Sequence, residues 1–170
     1  MVLVVGSLAG SMLIAGRLLA RVSARLLMLP GLLVMAAGLL LLSRLTADST
    51  HVLAPYLVPA QLLIGVGLGV VLTTATSLAT ADVSFADTGS ASATFNAAQQ
   101  VGGALGTALF NTVATTVTAS YLRSHDSSEA TAVVHGFSTA LLVSAGIMLA
   151  AAIVAAVLLA TRPAARAVRG

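Results

Sequence analysis

Five residues of one predicted helix carry hydrogen-bonding chemistry at helical spacing. Asn96, Gln100, Gly103, Thr107 and Asn111 recur at steps of four, three, four and four, so they share a face. Their amides and hydroxyl can line a water-filled cavity or hold a neighbouring helix, but they do not change charge near neutral pH. Val101, Leu105, Ala108 and Leu109 lie roughly opposite. An earlier segment has a milder stripe: Gln61, Gly65, Gly69, Thr73, Thr76 and Thr80. Groups suited to acid–base or metal chemistry lie elsewhere. Asp82 and Asp87 follow the milder stripe, and Asp48, Asp126 and Glu129 fall in other connections. His51, His125 and His135 lie near expected helix ends, where they are read as solvated. There is no cysteine, no H-E-x-x-H, no G-x-S-x-G elbow and no G-x-x-x-x-G-K-[ST] loop. Neither an enzyme nor a metal or other cofactor is expected.

The elements that position these residues follow from composition. The chain has 170 residues, 58% of them hydrophobic and 8% charged. A soluble domain carries about 25% charged residues, so this chain has too few to coat a globule in water. That excludes an ordinary soluble enzyme, a disordered tail and a nucleic-acid binder. The formal charge of +3 does not argue otherwise, because Arg17, Arg21, Arg25 and Arg162, Arg166, Arg169 flank apolar runs. A hydrocarbon core about 30 Å thick needs ~20 helical residues. The uncharged blocks predict helices at 2–22, 26–43, 56–79, 95–118 and 137–160, followed by a tail at 161–170. Pro30, Pro55 and Pro59 are read as lying near helix starts, and Pro163 as following the last span. The expected fold is an all-α integral membrane protein with five transmembrane helices, forming a single incomplete domain over residues 1–170.

Arginine counts set the expected orientation. The first and third connections and the tail carry six arginines together; Arg44 and Arg123 lie on the other side. The arginine-rich side is expected to be cytoplasmic, which puts the C-terminal tail inside and the N-terminus outside. An uncharged start outside the membrane is natural if earlier helices are missing.

The second and fifth helices are nearly uniform Leu, Ala, Val and Met and suit lipid-facing positions. Gly6/Gly10, Gly65/Gly69 and Gly102/Gly106 are G-x-x-x-G pairs, a spacing that lets helix backbones approach closely. Simple packing in the bundle is the first reading of these pairs, and a sliding contact with a moving neighbour is the alternative. The Asn96–Asn111 stripe is either glue between helices or a cavity lining, and in both cases it needs a partner. The first and third helices satisfy part of that need, leaving one side of the bundle unmet.

Three stretches resemble the major facilitator superfamily, and within it the fourteen-helix drug:proton antiporter branch. They are Gly65-Val-Gly-Leu-Gly69, Phe85-Ala-Asp-Thr-Gly-Ser-Ala-Ser92 and Asn96-Ala-Ala-Gln-Gln-Val-Gly-Gly-Ala-Leu-Gly106. The segment from Gly16 through Arg17 and Arg21 to Arg25 is similar to that family's cytoplasmic loop motif. Ala20 and Ser23 stand where the motif has Asp and Gly, and Ala93 stands where a Gly is common. The resemblance implies the last five helices of a transporter, a partial C-terminal bundle working by alternating access. It implies a substrate cavity or inter-half interface at Gln61, Gly65, Thr73, Asn96, Gln100, Gly103, Thr107 and Asn111. Gly6, Gly10, Gly69, Gly102 and Gly106 are expected to pack helices together. The implied partners are the lipid bilayer of the inner (plasma) membrane, a missing N-terminal half, a small organic substrate and protons. Alone the chain is expected to be inactive. The alternative is a five-helix membrane protein that associates through its glycine faces and transports nothing.

Overall fold

A computed structural model describes residues 2–15, 22, 24–44, 53–80, 83–84, 86–126 and 128–161. Every regular element among the described residues is helical. Helix α1 spans Val2–Ala9 and continues as a π-helical segment, Gly10–Ala15; α2 spans Ala24–Leu42, α3 Leu53–Thr80, α4 Thr88–Ser124 and α5 Glu129–Thr161. Gly16, Arg17, Arg21 and His51 lie outside the described residues, and Arg25 falls in the first turn of α2.

Successive helices alternate in direction. Gly6 approaches Leu62 and Gly10 approaches Val66, so α1 and α3 run parallel. Gly31 meets Val70 and Val71 whereas Gly38 meets Ala60 and Ile64, so α2 runs against α3. Phe110 meets Phe137 and Tyr121 meets His135, so α4 and α5 are also antiparallel. In space α1 packs on α3, α3 on α2, α2 on α5 and α5 on α4, and α4 touches α3 at one end.

The core is made of small residues. Seven of the ten buried apolar residues are alanines, including Ala36, Ala60, Ala114 and Ala132, while Leu142, Ile147, Ile153 and Val154 of α5 are exposed. In water that distribution forfeits most of the hydrophobic gain, at about 25 cal/mol per Å² of apolar surface left uncovered. In lipid, which gives no reward for burying leucine, small faces let helices pack closely. Among the described residues two helices are long and apolar enough to cross a membrane, over Tyr56–Thr80 and Glu129–Leu158; the apolar stretch Leu26–Leu42 is shorter.

The structure revises three readings. Pro30 and Pro59 are each the seventh residue of their helix, so they sit in helix interiors and not at the starts. A proline there removes a bond to the carbonyl four residues earlier; both prolines lie on exposed faces. Helix α2 is not peripheral all round: Leu27, Gly31, Leu32, Ala36 and Gly38 are buried between α3 and α5, while Leu26, Leu33 and Leu40 are exposed. Uniform apolar composition hid this face, because glycine and alanine carry it without a polar signal. Helix α4 also extends well beyond the expected 95–118. Its extra turns are rich in Ser and Thr, whose hydroxyls bond back to the helix, as Thr94 Oγ1 does to Ser90 O at 2.9 Å.

Candidate functional site

The close contact of α1 with α3 is built from two G-x-x-x-G pairs set face to face. A β-carbon added at Gly6 would lie 3.4 Å from the Gly65 Cα, and one at Gly10 would lie 2.5 Å from the Val66 carbonyl oxygen. A β-carbon at Gly69 would fall on the Ser7 carbonyl oxygen and lie 3.0 Å from Ser11 Oγ. The Ser11 hydroxyl donates to Ser7 O at 2.8 Å, within its own helix. Gly65 is therefore buried beneath α1 and does not line an open cavity, because the pairing that brings α1 close also covers it.

Gly67, two residues away, points to the other side. Its β-carbon would lie 2.7 Å from Gly31 O and 2.8 Å from Met35 N of α2. The run Gly65-Val-Gly-Leu-Gly69 thus thins α3 on both sides, and α1 and α2 clamp it. Sequence reasoning placed Gly65 and Gly69 on one face but gave Gly67 no role. The signal was its offset of two residues, which on a helix means nearly the opposite face.

Helix α4 makes the contrast. From Asn96 to Leu109 every residue is exposed, on the polar stripe and on the opposite apolar side alike. Val101 and Leu105 are 59% and 66% exposed. Nothing lies within 4 Å of a β-carbon built on Gly102, Gly103 or Gly106. The expected packing of Gly102 and Gly106 is therefore not made within the described residues. The side-chain amides of Asn96, Gln100 and Asn111 form no hydrogen bond among the described residues. The Thr107 hydroxyl donates to its own helix, at Gly103 O, 2.9 Å. Between these helices the stripe is not glue. One side-chain bond that does join two helices lies elsewhere, from Ser138 Oγ to Ser43 O at 2.7 Å.

The other half of α4 is anchored. Gly136 of α5 sits on the Ala114 carbonyl and the Thr118 hydroxyl, and Phe110 and Phe137 meet edge to face, 5.7 Å between centroids. Further along, the two helices diverge around an apolar cavity of about 110 Å³ between Phe110, Val113, Val143 and Ile147.

Where α4 begins it leans on the end of α3. A cleft of about 240 Å³ opens there, lined by Leu72, Thr76, Thr80, Phe95, Asn96 and Gln99. A neighbouring cleft of about 400 Å³ lies between Ala79, Val83, Asp87 and Ser90, with Phe95 shared by both. Of the residues expected to line a cavity, Asn96 reaches this space. Gln100, Gly103, Thr107 and Asn111 continue along the same helix with nothing opposite. Gln61 and Thr73 lie elsewhere on α3, both partly covered, the Thr73 hydroxyl bonded to Gly69 O at 2.8 Å. Sequence reasoning missed Gln99 and Phe95 as lining residues. Gln99 is three residues beyond Asn96, a separation that puts both on one helical surface.

The cleft mixes hydroxyls, amides and an aromatic ring, and no charged residue occurs between Thr88 and Leu122. It can hydrogen-bond and stack, while an ionisable carboxylate, Asp87, lines the neighbouring cleft. Among the described residues no cluster of three His, Asp or Glu could hold a metal ion.

The Major Facilitator Superfamily matches residues 1–169. A puromycin resistance protein of Streptomyces alboniger is 47% identical over 160 residues, covering 92% of this chain and 32% of that protein. The chain thus spans about a third of the length of that relative. No solved structure matches.

Proposed function

This chain belongs to the Major Facilitator Superfamily, and we propose that it is the C-terminal part of a proton-coupled exporter of amphipathic organic compounds. Its members are membrane transport proteins, so the lipid bilayer is the solvent in which the exposed leucines belong. All five helices cross it, the arginine-rich ends face the cytoplasm, and the membrane is the plasma membrane.

The observation that carries this reading is the Asn96–Leu109 half of α4. A helix carrying three amides and three open glycines is poorly suited to lipid on every side. It suits burial against a second bundle, with the amide stripe turned to the aqueous passage between them. Alternating access needs two such bundles rocking about a midplane site. The missing partner is the N-terminal part, and the proton-carrying groups belong to it, since no carboxylate lies deep within the expected spans of this chain. The relative's name makes puromycin the first compound to test.

Expression of this chain with and without an N-terminal part from the same family, in cells challenged with puromycin, tests the proposal. Resistance is expected only with both parts present. Resistance from this chain alone contradicts the need for a second bundle, and none from the pair contradicts the exporter reading. The open glycines also favour a second reading, a self-associating five-helix protein without transport. A detergent-stable homo-oligomer that shields Gly103 and confers no resistance with any partner supports that one.

A further inference from the structure

At the end of the molecule where α4 turns into α5, three rings stack. The Tyr121 phenol meets His125 at 4.3 Å between centroids, 10° from parallel, and His135 at 4.6 Å with a 34° tilt. Both imidazoles therefore contact the one phenol ring. His125 closes α4: its backbone N–H bonds to Tyr121 O, and its Nδ1 lies 2.9 Å from Ser124 Oγ. His135 belongs to α5. Tyr121 is therefore the ring that ties the end of one helix to the start of the next.

The site is open to water. Both imidazoles are exposed and the phenol is partly covered. Tyr121 lies fifteen residues from Gly106 at the middle of α4, about 22 Å along the axis and beyond the ~15 Å half-thickness of a hydrocarbon core. The charged groups on the elements meeting here are Arg123 and Asp126 at the end of α4, Glu129 at the start of α5, and Arg44 after α2. All four are exposed, so solvent and salt screen them. Nothing in the transport reading uses this cluster, which lies at the opposite end of α4 from the cleft.

We propose that the His125–Tyr121–His135 stack is a proton-responsive latch on the α4–α5 turn. Imidazole is the side chain that changes charge between about pH 5 and 8. A protonated ring over the phenol face adds a cation–π attraction to plain stacking. A positive charge on His125 also faces the carbonyl end of α4, where cations are stabilising. Acidification on this side of the membrane tightens the turn, and alkaline conditions loosen it.

The chain has no tryptophan and two tyrosines, Tyr56 and Tyr121, so in a Y56F background Tyr121 is the sole reporter. In phosphatidylcholine nanodiscs its emission is expected to change sigmoidally between pH 8 and 5, and not at all once H125A and H135A are added. Deuterium exchange of the amides from 125 to 132, corrected for the intrinsic rate, is expected to slow about two- to five-fold at pH 5.5 relative to pH 7.5, the scale of an exposed cation–π contact. Y121F should keep that slowing and Y121L should lose it, with helical circular dichroism showing that both fold. A flat emission profile in the Y56F chain overturns the latch, as does slowing that persists in Y121L or in the double histidine variant.

Discussion

The glycines divide into two populations that one spacing rule had grouped together. At Gly69 any side chain meets the Ser7 carbonyl, and at Gly10 it meets the Val66 carbonyl; both are backbone atoms that cannot swing away. At Gly103 there is no atom to meet. Gly69→Ala should therefore destabilise the isolated chain by ~1–3 kcal/mol, as overpacking does. Gly103→Ala should leave it unchanged or slightly more stable, because alanine favours helix over glycine by about 1 kcal/mol. Thermal unfolding of the two variants in one detergent, followed by circular dichroism, measures the difference. Equal midpoints would show that the α1–α3 seam contributes nothing. The G-x-x-x-G pairs were legible as sequence, but the first and third helices were expected to meet the α4 stripe, and they pair with each other. Which pair finds a partner was not legible, because spacing describes one surface and contact needs two.

At the scale of elements, polarity proved a better guide to exposure than apolarity did to burial. The amide stripe of α4 announced an unusual helix, and α4 is the one whose middle has no neighbours. The aliphatic helices α2 and α5 announced nothing, yet α2 lies between α3 and α5. They are joined by small residues and by one directed bond, from the Ser138 hydroxyl to the Ser43 carbonyl. That carbonyl lies at the end of α2, where no later helical N–H reaches it. Removing the donor with Ser138→Ala should cost ~0.6–1.7 kcal/mol, the range of interhelical bonds in membrane bundles. The loss should appear as faster hydrogen exchange at the end of α2, with α1 unaffected because it packs on α3. Ser138→Thr keeps a hydroxyl and should recover part of the protection. The helix boundaries were legible to within a few residues for α2 and α3. They were not for α4, whose first turns are rich in Ser and Thr and lie outside the apolar signal, nor for α5, which begins at Glu129, eight residues before the expected 137.

The whole molecule is a curved row of helices, α1–α3–α2–α5–α4, with α4 returning to α3 only near its first turns. Successive helices alternate in direction, as five spans joined by short connections require. What the row encloses was not legible, since a surface that awaits another bundle looks the same in sequence as one that packs within the chain. The exposed half of α4 turns that difference into a measurement. Single cysteines at Asn96, Gln100 and Gly103 can be introduced freely, because the chain has none of its own. In the isolated chain all three should react with a thiol reagent that enters detergent micelles, at rates close to one another. With the N-terminal part assembled, the Gly103 position should be shielded and its rate should fall at least tenfold. Asn96 and Gln100 should stay reactive to a water-soluble reagent if the stripe faces an aqueous passage. A bulky Gly103→Leu should then block assembly of the two parts while leaving the unfolding midpoint of this chain in place. That pairing separates an interface from a fold: a lost midpoint would mean Gly103 packs inside the chain, and unimpeded assembly would mean the second bundle sits elsewhere.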